Sequence, residues 1–345
     1  MPGPQTGTRH FSLPPSQGHV DRGRPMDSSR TPGRVSSVDW SWISSRLTRV
    51  VLPAYFFAHS TALVAIFLVE GLVGIDARIY SAAVRVWMEG GDPWATAVDG
   101  FYFAAPPPTL LPFVPFAVLG ESLSAAIWVG GSAAAAVFIV RSLGLTWWWI
   151  LFPPITNGVL AGNADVLVVA LVLARSDVLG TIASFLKIYA LLPILGDRRW
   201  RTLAMAGVAL LITAPVLPWG TYVGQFSEIA AILDAQALGI SAFGTLWLIV
   251  LVVIALAALG QRLAGWLAVP ALWPSAQLHY SVLALPALAS LRHHPLAVLV
   301  AAIMLSPEVV WLPPLAVVVL ALAITWSRIQ RRRRVGLDER IAIPS

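Results

Sequence analysis

The chain has 345 residues, of which 57% are apolar and only 12% charged, about half the roughly 25% of charged residues found in soluble domains. This composition excludes a water-soluble globular fold. The net charge of +6 comes almost entirely from arginine, with Lys187 as the single lysine, and the arginines flank apolar blocks, which suits an anionic membrane leaflet rather than nucleic acid. The sequence has no cysteine, so disulfides and thiolate metal sites are excluded.

Residues 1–45 are rich in Pro, Gly, Ser and Arg and have no apolar periodicity, which predicts a disordered tail. The first apolar block, 50–69, follows this long polar stretch without a small-residue cleavage pattern, so we interpret it as a retained membrane span and not as a signal peptide. Because Arg46 and Arg49 precede it, the positive-inside bias places the N-terminus in the cytoplasm.

Further apolar blocks, some near the ~20 residues that cross a bilayer core and others shorter, predict an all-α polytopic protein with about twelve spans and both termini cytoplasmic; ten or eleven spans are the alternatives. The predicted spans are residues 50–69, 107–120, 123–140, 145–158, 163–175, 178–195, 202–218, 242–260, 263–277, 280–291, 295–306 and 309–326. This count leaves Arg141 and Arg175 on the outer side, against the positive-inside bias. The predicted domains are the tail 1–45, a membrane domain over 46–327, and a basic cytoplasmic tail over 328–345.

Two external segments emerge, residues 70–106 and 219–241. In the first, apolar residues recur at helical spacing, which predicts a helix lying in the membrane interface. Its predicted apolar face consists of Ile75, Ile79, Ala82, Ala83, Val86 and Trp87. The sequence GGDP at 90–93 then ends the helix.

Four polar positions carry alternatives. Asp76 is either a general base or metal ligand at headgroup depth, or an acid that favours the start of a helix. Lys187, inside an apolar block, is either a phosphate partner or a cation that snorkels to the interface. His279 is either a donor to phosphate or an ordinary interface residue. Asn163, with nearby Asp165, either lines a cavity or, as the spacing favours, caps a helix.

Four segments follow one another along the chain in an informative order. They are DARIY at 76–80 with GGDPW at 90–94; the prolines of 107–115; GN at 162–163 with KIY at 187–189 and RRWR at 198–201; and WPSAQLHY at 273–280. In these segments and in their order, the sequence resembles glycosyltransferase family 87, which includes polyprenyl-phosphomannose-dependent α-1,2-mannosyltransferases and has the C-type glycosyltransferase (GT-C) fold.

This resemblance implies an enzyme of the plasma membrane with its active site, in loop 70–106, facing outward. It would transfer a sugar, mannose in the named enzymes, from a polyprenyl phosphate to a glycolipid or lipoglycan, with inversion. Asp76 would be the catalytic base. Lys187, His279 and Arg78 would stabilise the leaving phosphate, and Tyr80, Tyr280 and Asn163 would complete the substrate site. Apart from the lipid-linked donor as co-substrate, no cofactor, metal or nucleic acid is expected.

The alternative is a secondary transporter or lipid flippase in which Lys187 and Asp165 act as coupling charges. Such a protein would carry paired broken helices in matching halves, and the sequence offers no convincing repeat of this kind. A non-catalytic scaffold for an envelope complex fits poorly with a lone lysine inside an apolar block. Nucleotide hydrolysis has no support, because the sequence contains no P-loop.

Overall fold

The structure, a computed structural model, describes residues 40–236 and 240–341. These residues are mostly helical, which confirms the helical class. The α-helices are α1 Trp40–Val69, α2 Ile75–Met88, α3 Leu110–Ala117, α4 Glu121–Ser142, α5 Pro153–Ala161, α6 Ala164–Leu173, α7 Asp177–Leu186, α8 Leu191–Gly196, α9 Trp200–Thr213, α10 Trp219–Gly224, α11 Phe226–Gln236, α12 Leu246–Leu259, α13 Gln261–Leu272, α14 Leu285–Ser290, α15 Pro295–Met304 and α16 Leu312–Ile341. Short 3-10 turns at Pro93–Ala95, Pro107–Thr109, Trp147–Leu151, Ile188–Ala190 and Leu278–Ala284 join several of them.

Within the described residues, three helices are long and apolar enough to cross a membrane. These segments are Thr48–Val69, Glu121–Ser142 and Leu312–Gln330, and the bent pair α5 and α6 gives a fourth if it counts as one span. The other apolar helices are shorter, so a total of about twelve spans stays a prediction. The predicted tail 1–45 lies largely outside the described residues, but α1 already begins at Trp40, and α16 continues the predicted span 309–326 well into the basic segment after it.

The predicted helix of the first external segment is confirmed as α2. It begins after Gly74, whose positive φ of 73° suits glycine and whose N–H donates to the carbonyl of Leu160 at 2.7 Å. A Cβ at this glycine would lie 2.6 Å from the Cβ of Ala125, so α2 packs directly against α4. The predicted apolar face is only partly right. The fully buried face includes Tyr80 and Val84 and packs against the protein, whereas Val86 and Trp87 are half-buried.

After α2 the chain forms a two-stranded antiparallel hairpin, β1 Ala97–Val98 with β2 Phe101–Tyr102. Asp99 and Gly100 turn it with φ of 51° and 83°, the signs that two-residue hairpin turns favour. The two predicted external segments also meet here, since Gln225 Nε2 donates to Asp92 Oδ2 at 2.6 Å. This contact places α10 and α11 beside the loop that follows α2.

No single helix covers the predicted span 145–158. A 3-10 turn leads into α5, and α5 and α6 meet at an angle of 115° around Gly162 and Asn163. This reversal returns the chain to the end of α4, because Ser142 and Arg175 line one cavity together with Arg262 and Arg292. The predicted spans placed Arg175 on the opposite side from the other arginines, and the cavity that it shares with Arg262 and Arg292 shows that this placement is wrong.

The predicted span 178–195 is broken as well. α7 ends at Leu186. The backbone of the next residue, Lys187, is extended with φ of −150° and ψ of 118°, and α8 starts only at Leu191. Likewise, the predicted span 280–291 divides into a 3-10 turn over Leu278–Ala284 and the short helix α14. The two breaks place Lys187, His279 and Tyr280 in one cavity with residues of α2.

Candidate active site

A cavity of about 580 Å³ lies between α2, the hairpin, and the breaks after α5 and α7. This volume falls within the roughly 300–1,000 Å³ of small-molecule sites. Six of the seven predicted site residues line it: Asp76, Tyr80, Asn163, Lys187, His279 and Tyr280. The seventh, Arg78, does not.

Asp76 reaches the cavity from the first turn of α2. Its Oδ2 accepts a hydrogen bond of 2.5 Å from Asn163 Nδ2, and no described residue donates to its other oxygen. A charge-assisted bond of this kind fixes the orientation of the carboxylate. One oxygen is thus held by protein while the carboxylate remains at the cavity.

Asn163 connects the α5–α6 break to this carboxylate. Gly162 ends α5 with a left-handed φ of 64°, and the Oδ1 of Asn163 then accepts from the backbone N–H of Asp165 at 2.9 Å, which caps α6. The capping interpretation is confirmed, but the same amide also uses its Nδ2 to hold Asp76. Capping and lining the cavity are therefore compatible roles here.

His279 lies on the 3-10 turn after α13, and both ring nitrogens have neighbours. Nε2 is 3.1 Å from Asn163 Nδ2 and Nδ1 is 3.4 Å from Asn157 Oδ1. Since the amide Nδ2 donates, the contacts fit a neutral imidazole that carries its proton on Nδ1. Nε2 also lies 3.5 Å from Asp165 Oδ2, so a second proton on the ring would face a carboxylate.

Asp165 is fully buried in the first turn of α6. Tyr189 donates its hydroxyl proton to Oδ1, whereas Oδ2 has no hydrogen-bond partner among the described residues. A buried carboxylate with one unsatisfied oxygen is costly. Asp165 therefore supplies negative charge behind His279 without lining the cavity itself.

Lys187 is 8% exposed and its ammonium donates to the hydroxyl of Tyr80 at 2.9 Å. The ammonium also lies 5.5 Å from the ring centre of Tyr80 and 5.7 Å from that of Tyr280, within the range of cation–π contacts. No carboxylate of a described residue comes within the 4.0 Å of an ion pair. A cation held by neutral tyrosines inside a cavity does not fit a side chain that snorkels to the membrane surface.

Stacked rings fix these tyrosines. Tyr80 stacks on Phe113 at 4.6 Å, which in turn stacks on Trp128 of α4 at 4.2 Å. On the opposite wall, Tyr189 meets the edges of Trp273 and Tyr280 at 5.2 Å each. The hydroxyls around Lys187 are consequently held by rigid aromatic packing.

The outer part of the cavity is apolar. Phe67 at the end of α1, Phe101 and Tyr102 of the hairpin, and Tyr222 and Phe226 of the second external segment form its wall. Phe101 and Tyr102 are 39% and 44% exposed. A polar floor with an apolar, partly exposed mouth can hold a phosphate or sugar headgroup whose lipid chain leaves through the mouth.

Glu308, between α15 and α16, lines the cavity from the opposite side. Its Oε1 accepts from the backbone N–H of Leu278 at 3.4 Å. Partial burial raises the pKa of the Glu308 carboxyl because it disfavours the charged form, and the hydrogen bond from Leu278 partly opposes this. The acid therefore adds a polar group next to the turn that carries His279.

Arg78, the seventh predicted site residue, points away from this cavity. Its guanidinium pairs with Asp99 of the hairpin turn at 2.8 Å and donates to the carbonyl of Gly71 at 3.1 Å. It lines a separate groove on the other side of α2. The reason is helical geometry, since residues two apart point about 200° away from each other around an α-helix.

Several lining residues were not predicted as site residues. Tyr189 lies in the KIY segment and Asn157 in the predicted span 145–158, but nothing in their spacing distinguished them from their neighbours, and no sequence signal indicated Glu308. Among residues 40–236 and 240–341, no group of three or more His, Asp or Glu could hold a metal ion.

Chemically, the arrangement offers a fixed carboxylate, a neutral imidazole and an ammonium around one space. It can accept a proton at Asp76 and stabilise an anion at the buried Lys187. Comparisons with known protein families, with characterised proteins and with solved structures find no significant match to this chain.

Proposed function

We propose that the protein is an inverting glycosyltransferase that uses a polyprenyl-phosphate sugar as donor. The observation that carries this proposal is the convergence of Asp76, Lys187 and His279 on one cavity with an apolar mouth. These residues come from three distant parts of the sequence, and the resemblance to family 87 named them together. We propose the GT-C fold, with about twelve spans and outward-facing Asp76, on the same basis.

In the proposed reaction, a hydroxyl of the acceptor lies against Asp76. The carboxylate takes the hydroxyl proton while the oxygen attacks the anomeric carbon of the donor. The bond from that carbon to the phosphate oxygen breaks, and its electron pair leaves with the polyprenyl phosphate. Attack from the face opposite the leaving group inverts the anomeric centre. The hydrogen bond from Asn163 holds the base in position for this step.

The leaving lipid phosphate gains negative charge as the bond breaks. Lys187 is suited to stabilise it, because its ammonium lacks a carboxylate partner among the described residues and lies in a cleft of low dielectric. Tyr80 and Tyr280 add hydroxyl groups next to it. Removing one such preorganised donor typically lowers the rate about 10² to 10³-fold.

The donor's polyprenyl chain would leave the cavity between Phe67, the hairpin and α10–α11, where the wall is apolar. Mannose is the sugar that the family resemblance favours, and a glycolipid or lipoglycan of the envelope is the acceptor class. The energy of transfer would come from the phosphate ester of the donor, so no nucleotide is needed at the site.

The test is incubation of the purified chain with labelled polyprenyl-phosphate mannose and envelope glycolipids. We expect labelled glycolipid whose new bond has the opposite anomeric configuration to the donor. Polyprenyl-phosphate glucose and arabinose serve as comparison donors. If none of these donors is consumed in the presence of acceptor, the proposal is refuted.

One observation favours a second candidate function, that of a secondary transporter or lipid flippase. α5 and α6 form a broken pair beside buried Asp165 and Lys187, and broken helices near ionisable residues occur in transporters. Sealed vesicles distinguish the two functions. Transport predicts movement of the labelled lipid across the bilayer without any glycosidic product, whereas transfer predicts a product in open and sealed preparations alike.

A further inference from the structure

A second cavity, of about 580 Å³, shares no lining residue with the candidate active site. It lies where α4 and α6 end, and its charged lining includes Arg175, Arg262 and Arg292, for which we call it the arginine cavity. The other end of α4 is tied to α2 by an ion pair of 2.7 Å between Glu121 and Arg85. Since the 22 residues of α4 extend about 33 Å, the two cavities lie at opposite ends of this helix.

The positive charge of the arginine cavity is largely uncompensated. Asp197 is its single acidic lining residue and pairs with Arg262 Nε at 3.0 Å. The guanidinium groups of Arg175 and Arg292 make no hydrogen bond or ion pair within the part of the chain that the structure describes. Two unpaired guanidinium groups at one cavity repel each other, and an anion between them would remove that repulsion.

The segment that presents Arg175 is held rigidly. Arg175 has a left-handed φ of 56°, a conformation that non-glycine residues seldom adopt without support. The support comes from Arg199, which donates to the carbonyls of Val172 at 3.1 Å and Ser176 at 2.7 Å and so brackets the turn. One arginine is thus used to position another, which remains available to a ligand.

The surroundings indicate the depth of a membrane headgroup. A groove that continues from the arginine cavity is lined by Arg198, Arg201 and Trp200, and Trp200 is 62% exposed. Exposed apolar residues flank it, with Val178 at 57% and Leu195 at 41%. Tryptophan and arginine side by side next to exposed aliphatic residues are typical of a membrane interface.

We propose that the arginine cavity binds the phosphate of an anionic phospholipid from the leaflet at this end of the protein. Guanidinium groups bind phosphate oxygens in bidentate fashion, so Arg175 and Arg292 would take the phosphodiester. Ser142 and Ser290 line the same cavity. The hydroxyl of Ser142 can donate to the glycerol or headgroup oxygens, whereas that of Ser290 already donates to the carbonyl of Ala287 at 2.8 Å. The proposal does not depend on glycosyl transfer, since no residue is shared with the candidate active site.

The test measures lipid binding to the detergent-purified full chain by native mass spectrometry, with phosphatidylglycerol, phosphatidylcholine and soluble glycerol phosphate as probes. We expect retention of phosphatidylglycerol in preference to phosphatidylcholine. The double variant R175Q/R292Q should bind phosphatidylglycerol about 30-fold more weakly, because each arginine near an anionic surface contributes roughly a fivefold factor in affinity.

The matched control is R141Q/R49Q, which removes the same charge from two exposed arginines outside the cavity. This control and the D76N variant should bind like the unmodified chain. Equal binding by R175Q/R292Q and the control, or equal retention of the two lipids by the unmodified chain, would overturn the site. Displacement of phosphatidylglycerol by an equal concentration of glycerol phosphate would overturn the assignment to a lipid.

Discussion

Replacing Lys187 by glutamine tests whether the ammonium group is needed for catalysis or only for the structure. Glutamine keeps a donor for the Tyr80 hydroxyl, now 2.9 Å from the ammonium, and removes the charge. If the ammonium exists to stabilise the leaving phosphate, the substitution should lower the rate of sugar transfer about 10² to 10³-fold. That loss corresponds to about 2.7–4 kcal/mol of transition-state stabilisation.

The effect on stability should be much smaller. The substitution removes one charged hydrogen bond, worth about 1.5–3 kcal/mol, and two cation–π contacts, each worth about 0.5–2 kcal/mol. Against this, burying an ammonium at 8% exposure without a carboxylate partner among the described residues costs several kcal/mol. The two sides nearly cancel, so the free energy of unfolding should change by less than about 2 kcal/mol.

The assay pairs single-turnover transfer from a labelled polyprenyl-phosphate sugar with thermal unfolding of the same preparation. R141Q, at an exposed arginine outside both cavities, controls for the loss of a positive charge. A K187Q rate within about threefold of the unmodified chain would refute the phosphate role. A loss of stability above about 4 kcal/mol would instead identify Lys187 as part of a structural network.

Three further substitutions test the site and its scaffold. N163A should lower transfer about 10- to 100-fold, because it removes a charged hydrogen bond to Asp76; an unchanged rate in the same transfer assay would contradict that role. R78Q should keep the rate within about twofold and cost less than about 1 kcal/mol, since its ion pair is partly exposed; a large loss of activity would restore it to the site. G74A should destabilise the protein by roughly 1–3 kcal/mol or more in thermal unfolding, because the new Cβ meets α4 at 2.6 Å, whereas G71A, with a similar φ of 66° but open space, should cost less; equal effects would refute the close-packing argument.

The helical class and much of the site could be predicted from the sequence. Long uncharged blocks require helices in a bilayer, and polar residues inside such blocks are costly enough to indicate function. This reasoning identified Lys187, which does line the cavity, whereas for Asn163 it favoured a helix cap and the resemblance to family 87 implied the place in the site. For Asp76, the pattern alone left two interpretations, and the resemblance to family 87 favoured the catalytic one.

The helix break at Lys187 could not be predicted, because the residues around it are apolar and contain neither Gly nor Pro until Pro193. The break coincides with a tertiary contact, because the Lys187 ammonium donates to the hydroxyl of Tyr80, 107 positions earlier in the chain. The reversal around Gly162 and Asn163 falls between the predicted spans 145–158 and 163–175, so a turn at this place was expected. The 3-10 turn over Trp147–Leu151 that precedes α5 was not expected, because the residues there are as apolar as those of a helix.

Arg78 shows how a sequence motif can mislead. The resemblance to family 87 grouped it with Asp76, although the helix predicted for the same segment already places the two side chains on different faces. The helical wheel was the better guide. Conversely, Asp165 was considered as a cavity-lining residue, a cap or a coupling charge, and its position behind His279 depends on the turn after α13, which no local pattern indicates.

The most direct test of the central claim is the transfer rate of the D76N variant with a polyprenyl-phosphate sugar and a glycolipid acceptor. D99N, which removes an exposed carboxylate from the hairpin of the same loop, is the control. Loss of a positioned general base predicts a rate about 10² to 10⁴-fold lower for D76N, with unchanged folding and with D99N near the unmodified rate. A D76N protein that folds normally and transfers sugar at an undiminished rate would contradict the proposed role of this carboxylate.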